Sequence, residues 1–259
     1  MRAYRLATLL LAATIGLAAC GSSGEPAAGE TSAAPASSAP AEPEELLKAA
    51  TAEIDKGNYR FTFTGGPAAG EGYVHKPSGG TRLTVNATYG ADKTVADILV
   101  AGNDTFVKLA LNGEPLAGGG KWLEIDKSKV TADGMLDYVA EVDVPGASRL
   151  LATARSVSSR PTGEIAGTVD VSKVKGVPSL DDEETISALG AWASAVPFVA
   201  TLDGDGRLTK LVLDLSSFSV AGIKAFEFGY SDYGAAEPAA KPAAGEVTAA
   251  PANFYEDFL

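Results

Sequence analysis

Cysteine and histidine are almost absent from this chain. Of its 259 residues one is cysteine, Cys20, and one is histidine, His75. A lone cysteine excludes an intrachain disulfide. A lone histidine leaves no multi-histidine metal site and makes any Ser-His-Asp triad depend on His75. Positive charge is scarce as well: 21 Lys and Arg stand against 33 Asp and Glu, a formal net charge of −12. An acidic surface repels phosphate backbones and anionic headgroups, so nucleic acid is not an expected partner. The sequence holds no Gly-x-Ser-x-Gly elbow, P-loop or GxGxxG. Enzyme activity therefore has little support, and neither a cofactor nor a catalytic residue is expected. The apolar run Leu6–Leu17 is too short to cross a bilayer, since about 1.5 Å per residue gives about 18 Å against a roughly 30 Å hydrocarbon core.

That run has the features of an export signal. Arg2 and Arg5 form a short basic region before it, the pattern of a secretory leader. It ends in Leu17-Ala18-Ala19-Cys20-Gly21, which resembles the lipobox of bacterial lipoproteins. The resemblance implies a diacylglycerol on the Cys20 thiol, cleavage just before it, and a chain held on the outer face of the cell membrane. The alternative is a plain secretory signal cut after its A-x-A-like end. Loss of Arg2 and Arg5 with the signal takes the formal charge from −12 to about −14, so membrane affinity has to come from the lipid, at about 0.8 kcal/mol per buried CH₂.

Composition then divides the chain. Residues 1–19 read as the signal peptide. Residues 20–43 are the lipidated cysteine followed by an Ala/Pro/Ser/Gly tether with no large apolar residue, expected to be disordered. A coil of roughly 23 residues reaches about 25 Å. Residues 44–234 read as one domain. Residues 235–259 return to low complexity and end in aromatics (Phe254, Tyr255, Phe258) that either dock on the domain or fray.

Within the domain the period of hydrophobicity separates helix from strand. Pro43, Glu44 and Glu45 suit a helix start, Leu46, Leu47, Ala50 and Ile54 share a face, and Gly57 suits its end. From Tyr59 the period becomes two. Tyr59, Phe61 and Phe63 alternate with polar residues, as do Leu83, Val85, Ala87 and Tyr89. Val95–Ala101, Thr105–Leu111 and Lys121–Ile125 read as further strands of a meander separated by short turns. Ala132–Val139 and Ala147–Ala154 carry helical spacing on either side of Val144-Pro145-Gly146. A strand restarts at Ile165, and Asp181–Ala193 reads as a second main helix with Ile186, Leu189 and Trp192 on one face. Phe198–Leu202, Leu208–Leu215 and Ala225–Tyr230 close the domain as strands. The expected class is α+β: a single strongly curved antiparallel β-sheet, a half-open barrel, with helices covering its concave side.

The motifs "YRFTFTG", "DTFVKL", "KWLEID", "EIAGTVDVSKV", "ATLDGDGRLTKLVLDL" and "FEFGYSDYG", spread over Tyr59–Gly234, are similar to the LolA-like superfamily. The similarity is greatest to the actinobacterial LppX/LprG-type lipoproteins. It departs in the longer low-complexity C-terminus. The resemblance implies an apolar cavity that takes acyl chains, and a protein that carries or presents a lipid or glycolipid at the envelope. The in-facing wall residues are then Phe61, Phe63, Leu83, Val85, Leu109, Leu111, Leu123, Ile125, Leu211, Leu213, Phe226 and Phe228. Burial of roughly 400 Å² of acyl surface is worth about 10 kcal/mol before association costs. The same residues also serve as ordinary core against the helices. In that case the scaffold is a non-catalytic module that binds or regulates an envelope protein partner. An envelope hydrolase is the third reading, and would need an arrangement around His75.

Three features look like chemistry and have simpler explanations. His75 lies beside a turn, where a solvated strand-end histidine is expected. Asp203-x-Asp205 opens like a calcium loop, but Leu208 and Asp214 stand where that loop needs Gly and Glu. A hairpin turn accounts for it. The acidic run Asp181–Glu184 fits a helix start, where the macrodipole favours carboxylates.

Overall fold

The computed structural model describes residues 42–130, 143–177, 180, 183–218 and 223–258. Cys20, the signal, most of the tether and the helix expected over Ala132–Val139 lie outside the described residues.

Helix α1 spans Pro43–Asp55, with Pro43 at its start, Glu44 and Glu45 in the first turn, and Leu47, Ala50 and Ile54 buried. Gly57 ends it at φ 66°, its N–H donating to the Ile54 carbonyl at 2.8 Å, since only glycine takes this left-handed position without strain. Among the described residues two further short helices follow, α2 (Ala147–Leu151) and α3 (Glu183–Leu189), and then α4 (Ala252–Phe258).

The strands are β1 (Asn58–Gly65), β2 (Ala68–His75), β3 (Gly80–Tyr89), β4 (Asp92–Ala101), β5 (Asp104–Leu111), β6 (Glu114–Pro115) and β7 (Trp122–Glu124). The second half adds β8 (Arg155–Ser159), β9 (Ile165–Val169), β10 (Val196–Leu202), β11 (Leu208–Asp214), β12 (Ala225–Ser231) and β13 (Val247–Ala249). All thirteen join one sheet in the order β13-β7-β5-β4-β3-β2-β1-β12-β11-β10-β9-β8, with β6 beside β5. Its ends, β13 and β8, do not meet, so the sheet is open. The first meander grows from β1 in one direction and the last meander grows from β1 in the other. The fold is therefore α+β, as expected from the sequence.

The sheet is mixed and not wholly antiparallel, which corrects the expectation. β13 runs parallel to β7, with Val247 opposite Trp122. Parallel neighbours need a long connection, and here the whole second half of the domain separates the two strands. By composition residues 235–259 form a low-complexity extension. In the structure this segment caps one end of the sheet and returns Phe254 to the main core.

One face of the sheet carries that core. β1 alternates cleanly, with Tyr59, Phe61 and Phe63 buried and Arg60, Thr62 and Thr64 exposed, as a strand between a core and solvent must. The helix expected over Asp181–Ala193 is shorter than its periodicity promised. It ends at Leu189, where Gly190 takes φ 54°, and continues only as a 3-10 turn, Gly190–Ser194. That turn has a different period, so Trp192 leaves the buried face and is 62% exposed. It rests on Phe218, with ring centroids 5.4 Å apart.

Candidate functional site

The expected wall residues are mostly brought together. Phe61, Phe63, Leu83, Leu109, Leu123, Ile125, Leu211, Leu213, Phe226 and Phe228 are buried in one cluster with Leu47, Ala50 and Ile54 of α1. Val85 is half-buried against that cluster. Leu111 sits at the end of β5, half-buried, opposite Thr94 and Glu114, and outside the core cluster. Strand alternation continues past the edge of the layer that gives it meaning, so periodicity alone could not exclude this residue.

Four phenylalanines lie over glycines. A Cβ on Gly70 would stand 2.3 Å from the Phe63 ring, and one on Gly72 would stand 2.7 Å from the Phe61 ring. Gly65 meets Phe226 at 1.8 Å and Gly167 meets Phe198 at 2.9 Å in the same way. Each ring fills the space that its neighbour's missing side chain leaves. Phe61 faces Gly72 and Phe63 faces Gly70 across the β1–β2 hairpin, so Phe-x-Phe against Gly-x-Gly is one matched device. At these positions the wall acts as packed core.

An apolar pocket lies elsewhere, between α1, α2 and β8. Its volume is about 390 Å³ and its walls are Leu47, Thr51, Leu151, Ala152, Ala154 and Val157. Glu44, Lys48 and Ser148 also line it, and the buried Ser148 hydroxyl has no hydrogen-bond partner. The sequence pattern marks Glu44 and Leu47 as parts of α1 and Ser148, Leu151, Ala152 and Ala154 as parts of a helical run, but nothing in it brings the two segments together. β8 leaves no mark in the sequence, because it is a short edge strand whose residues are mostly exposed and carry no apolar alternation.

Asp143, just ahead of α2, holds this region in place. The N–H groups of Gly146 and Ser148 donate to its carboxylate at 3.1 and 2.6 Å, and the Tyr230 hydroxyl donates at 2.9 Å. Arg149 donates to the Asp143 carbonyl at 3.0 Å and to the Gly176 carbonyl at 2.7 Å. Burial pushes the Asp143 carboxyl above its ordinary pKa, against the pull of these donors. Burial likewise pushes up the Tyr230 and Tyr59 phenols, with Asp143's charge adding to it. The two rings pack at 5.5 Å. In the sequence Val144-Pro145-Gly146 marks only a helix break, although Asp three residues before a Gly, as Asp143 is, is a common turn and cap arrangement.

The remaining motifs settle locally. His75 ends β2 with its Nδ1 2.7 Å from Ser78 Oγ. Asp203 accepts from the N–H groups of Asp205 and Arg207 at 2.9 Å each and from Arg207 Nε at 2.8 Å, which is the expected hairpin turn. Asp181 and Asp182 lie outside the described residues. Among the described residues no group of three or more His, Cys, Asp or Glu is placed to hold a metal, and no helix is long and apolar enough to cross a membrane.

The class defined by this fold is α+β, built on one large open mixed sheet. No protein-family model matches the chain, and no curated protein or solved structure does either.

Proposed function

We propose that the chain is an exported lipoprotein, anchored by a diacylglycerol on Cys20, that binds a lipid or acyl chain and carries or presents it at the cell envelope without catalysis. The observation that carries this reading is the apolar pocket of about 390 Å³ between α1, α2 and β8, within the range of small-molecule sites. The lipobox-like Leu17–Gly21 and the resemblance to LppX/LprG-type lipoproteins support it. In this reading the sheet is a half-open barrel with helices on its concave side. The burial of α1 and α2 residues in one core with β1, β11 and β12 is consistent with that form. The acyl chain lies on Leu47, Leu151, Ala154 and Val157, with Lys48 at the mouth for an anionic headgroup. Eight methylenes buried there contribute about 6 kcal/mol before association costs.

The test uses the Cys20→Ser chain, which takes no anchor lipid. Mass spectrometry of its organic extract is expected to find a co-purifying lipid, and the protein is expected to take up a dansylated fatty acid. Ala154→Phe, which fills the pocket, is expected to weaken uptake about tenfold or more. Neither a lipid nor uptake in the unfilled protein would sink the reading.

One observation favours the second reading, an interaction lipoprotein for an envelope protein partner. The exposed Trp192, packed against Phe218 with its ring tilted, is the kind of aromatic anchor that protein interfaces use.

A further inference from the structure

The face of the sheet opposite the core carries a groove of about 630 Å³. Its floor is one cross-strand row: Gly229 of β12 pairs with Thr62 of β1, Thr62 with Glu71 of β2, and Glu71 with Thr84 of β3. These are short side chains apart from Glu71, and Gly229 has none. A Cβ there would stand 2.6 Å from Thr62 Oγ1, so any larger residue would crowd the floor. The next row is long. Arg60 pairs with Tyr73 and Tyr73 with Arg82, forming a wall along the floor.

An exposed polar sheet face is ordinary. What sets this one apart is the state of its charges. Lys210 is paired with Glu227 at 2.6 Å and Arg60 with Asp232 at 3.5 Å, and the Thr84 hydroxyl donates to Asp97 at 2.5 Å. Arg82 and Glu71 stand on adjacent strands, and among the described residues neither makes an ion pair or a side-chain hydrogen bond. The Arg82 guanidinium lies 5.7 Å over the Trp122 ring, which orients it and leaves its N–H fork unused. The chain carries a net charge of −12, so its general field repels anions. Any anion held here is held by that local fork.

We propose that this groove binds an anionic saccharide, a sugar ring bearing a phosphate or a carboxylate. Arg82 takes the anionic group in a forked, charge-assisted contact. Glu71 accepts from ring hydroxyls, and the Thr84 oxygen, whose own proton goes to Asp97, accepts another. The site is independent of the acyl-chain reading, because it lies on the face of the sheet away from the core.

The experiment titrates the full Cys20→Ser chain, labelled with nitrogen-15, with glucose 6-phosphate and with glucuronate. Glucose and inorganic phosphate serve as controls for the ring alone and the charge alone. Saturable shifts are expected in the amides of Thr62, Glu71, Thr84 and Gly229. Glucose and inorganic phosphate are expected to bind about tenfold more weakly or worse. Arg82→Gln, an exposed substitution that leaves the fold intact, is expected to weaken the charged sugars about tenfold, the usual size of a hydrogen bond to a charged group. Glu71→Gln gives a second variant and is expected to weaken them several-fold. The proposal is overturned if neither charged sugar shifts these amides saturably. It is equally overturned if Arg82→Gln binds as well as the parent chain, or if inorganic phosphate binds as tightly as glucose 6-phosphate.

Discussion

Asp143 sets the pH response of the region beside the apolar pocket. Its carboxyl is raised by burial, while Asp170, Asp203 and Asp214 are lowered. The first cause is the Ser172 hydroxyl for Asp170, the Arg207 N–H for Asp203 and the Ser216 hydroxyl for Asp214. The two kinds of shift act in opposite directions. A raised acid stabilises the fold fully below its unfolded value, near 3.8, and loses that contribution as pH rises through its folded value. The lowered acids contribute above 3.8 and lose it as pH falls through their folded values. Asp143→Asn removes only the first effect. Denaturant titrations at a series of pH values should show the parent chain's advantage over this variant shrinking as pH rises above 3.8. A constant offset of about 1–3 kcal/mol should remain at every pH, because one amide oxygen cannot satisfy the donors that now share two carboxylate oxygens. An advantage that grows with pH would contradict the assigned direction.

At the scale of elements, the C-terminal segment is the part that composition concealed. Val247 and Ala239 pack on Leu99, Phe106 and Trp122, a second small apolar cluster. Lys241 pairs with Asp104, and the Tyr255 hydroxyl accepts from the Asp126 N–H at 2.8 Å. Phe254 is 1% exposed. Alanine and proline in this stretch show no period, because their partners are supplied by strands far away in sequence. If the segment is integral, Phe254→Ala should cost about 3–5 kcal/mol, as truncation of a buried phenylalanine does. For a domain of this size that lowers the melting temperature by about 10 °C, measurable by calorimetry. An unchanged melting temperature would mean that the segment is not part of the cooperative unit. β2 was concealed for a related reason. Ala68-Ala69-Gly70-Glu71-Gly72 has low strand propensity, and its glycines make sense only against distant neighbours, the rings of Phe61 and Phe63 and the Arg82 carbonyl.

At the scale of the whole molecule, the proposed function divides the work between an anchor, a tether and a binding domain. In that proposal a diacyl anchor meets the two-chain requirement for stable attachment, and the tether would keep the domain within reach of the bilayer. Cell fractionation should find the parent chain in the membrane pellet and Cys20→Ser in the soluble exported fraction. Metabolic labelling with an alkyne fatty acid should mark the parent chain alone. Equal labelling of both chains would move the anchor elsewhere.

The sequence by itself determined the class of the fold and most of its central strands. Alternation in β1, β3 and β10 to β12 reflects a sheet with one buried face, and the apolar runs of β4 and β5 reflect strands covered on both faces; both are local properties of the chain. It also yielded ten of the twelve proposed wall residues as buried core. Only the tertiary structure decided where open space remains. The phenylalanines close over glycines of neighbouring strands, whereas the pocket opens where α1 meets α2 and an edge strand, and the groove opens on the polar face. Packing between distant segments sets such volumes, and no periodicity in the chain records which segments will meet.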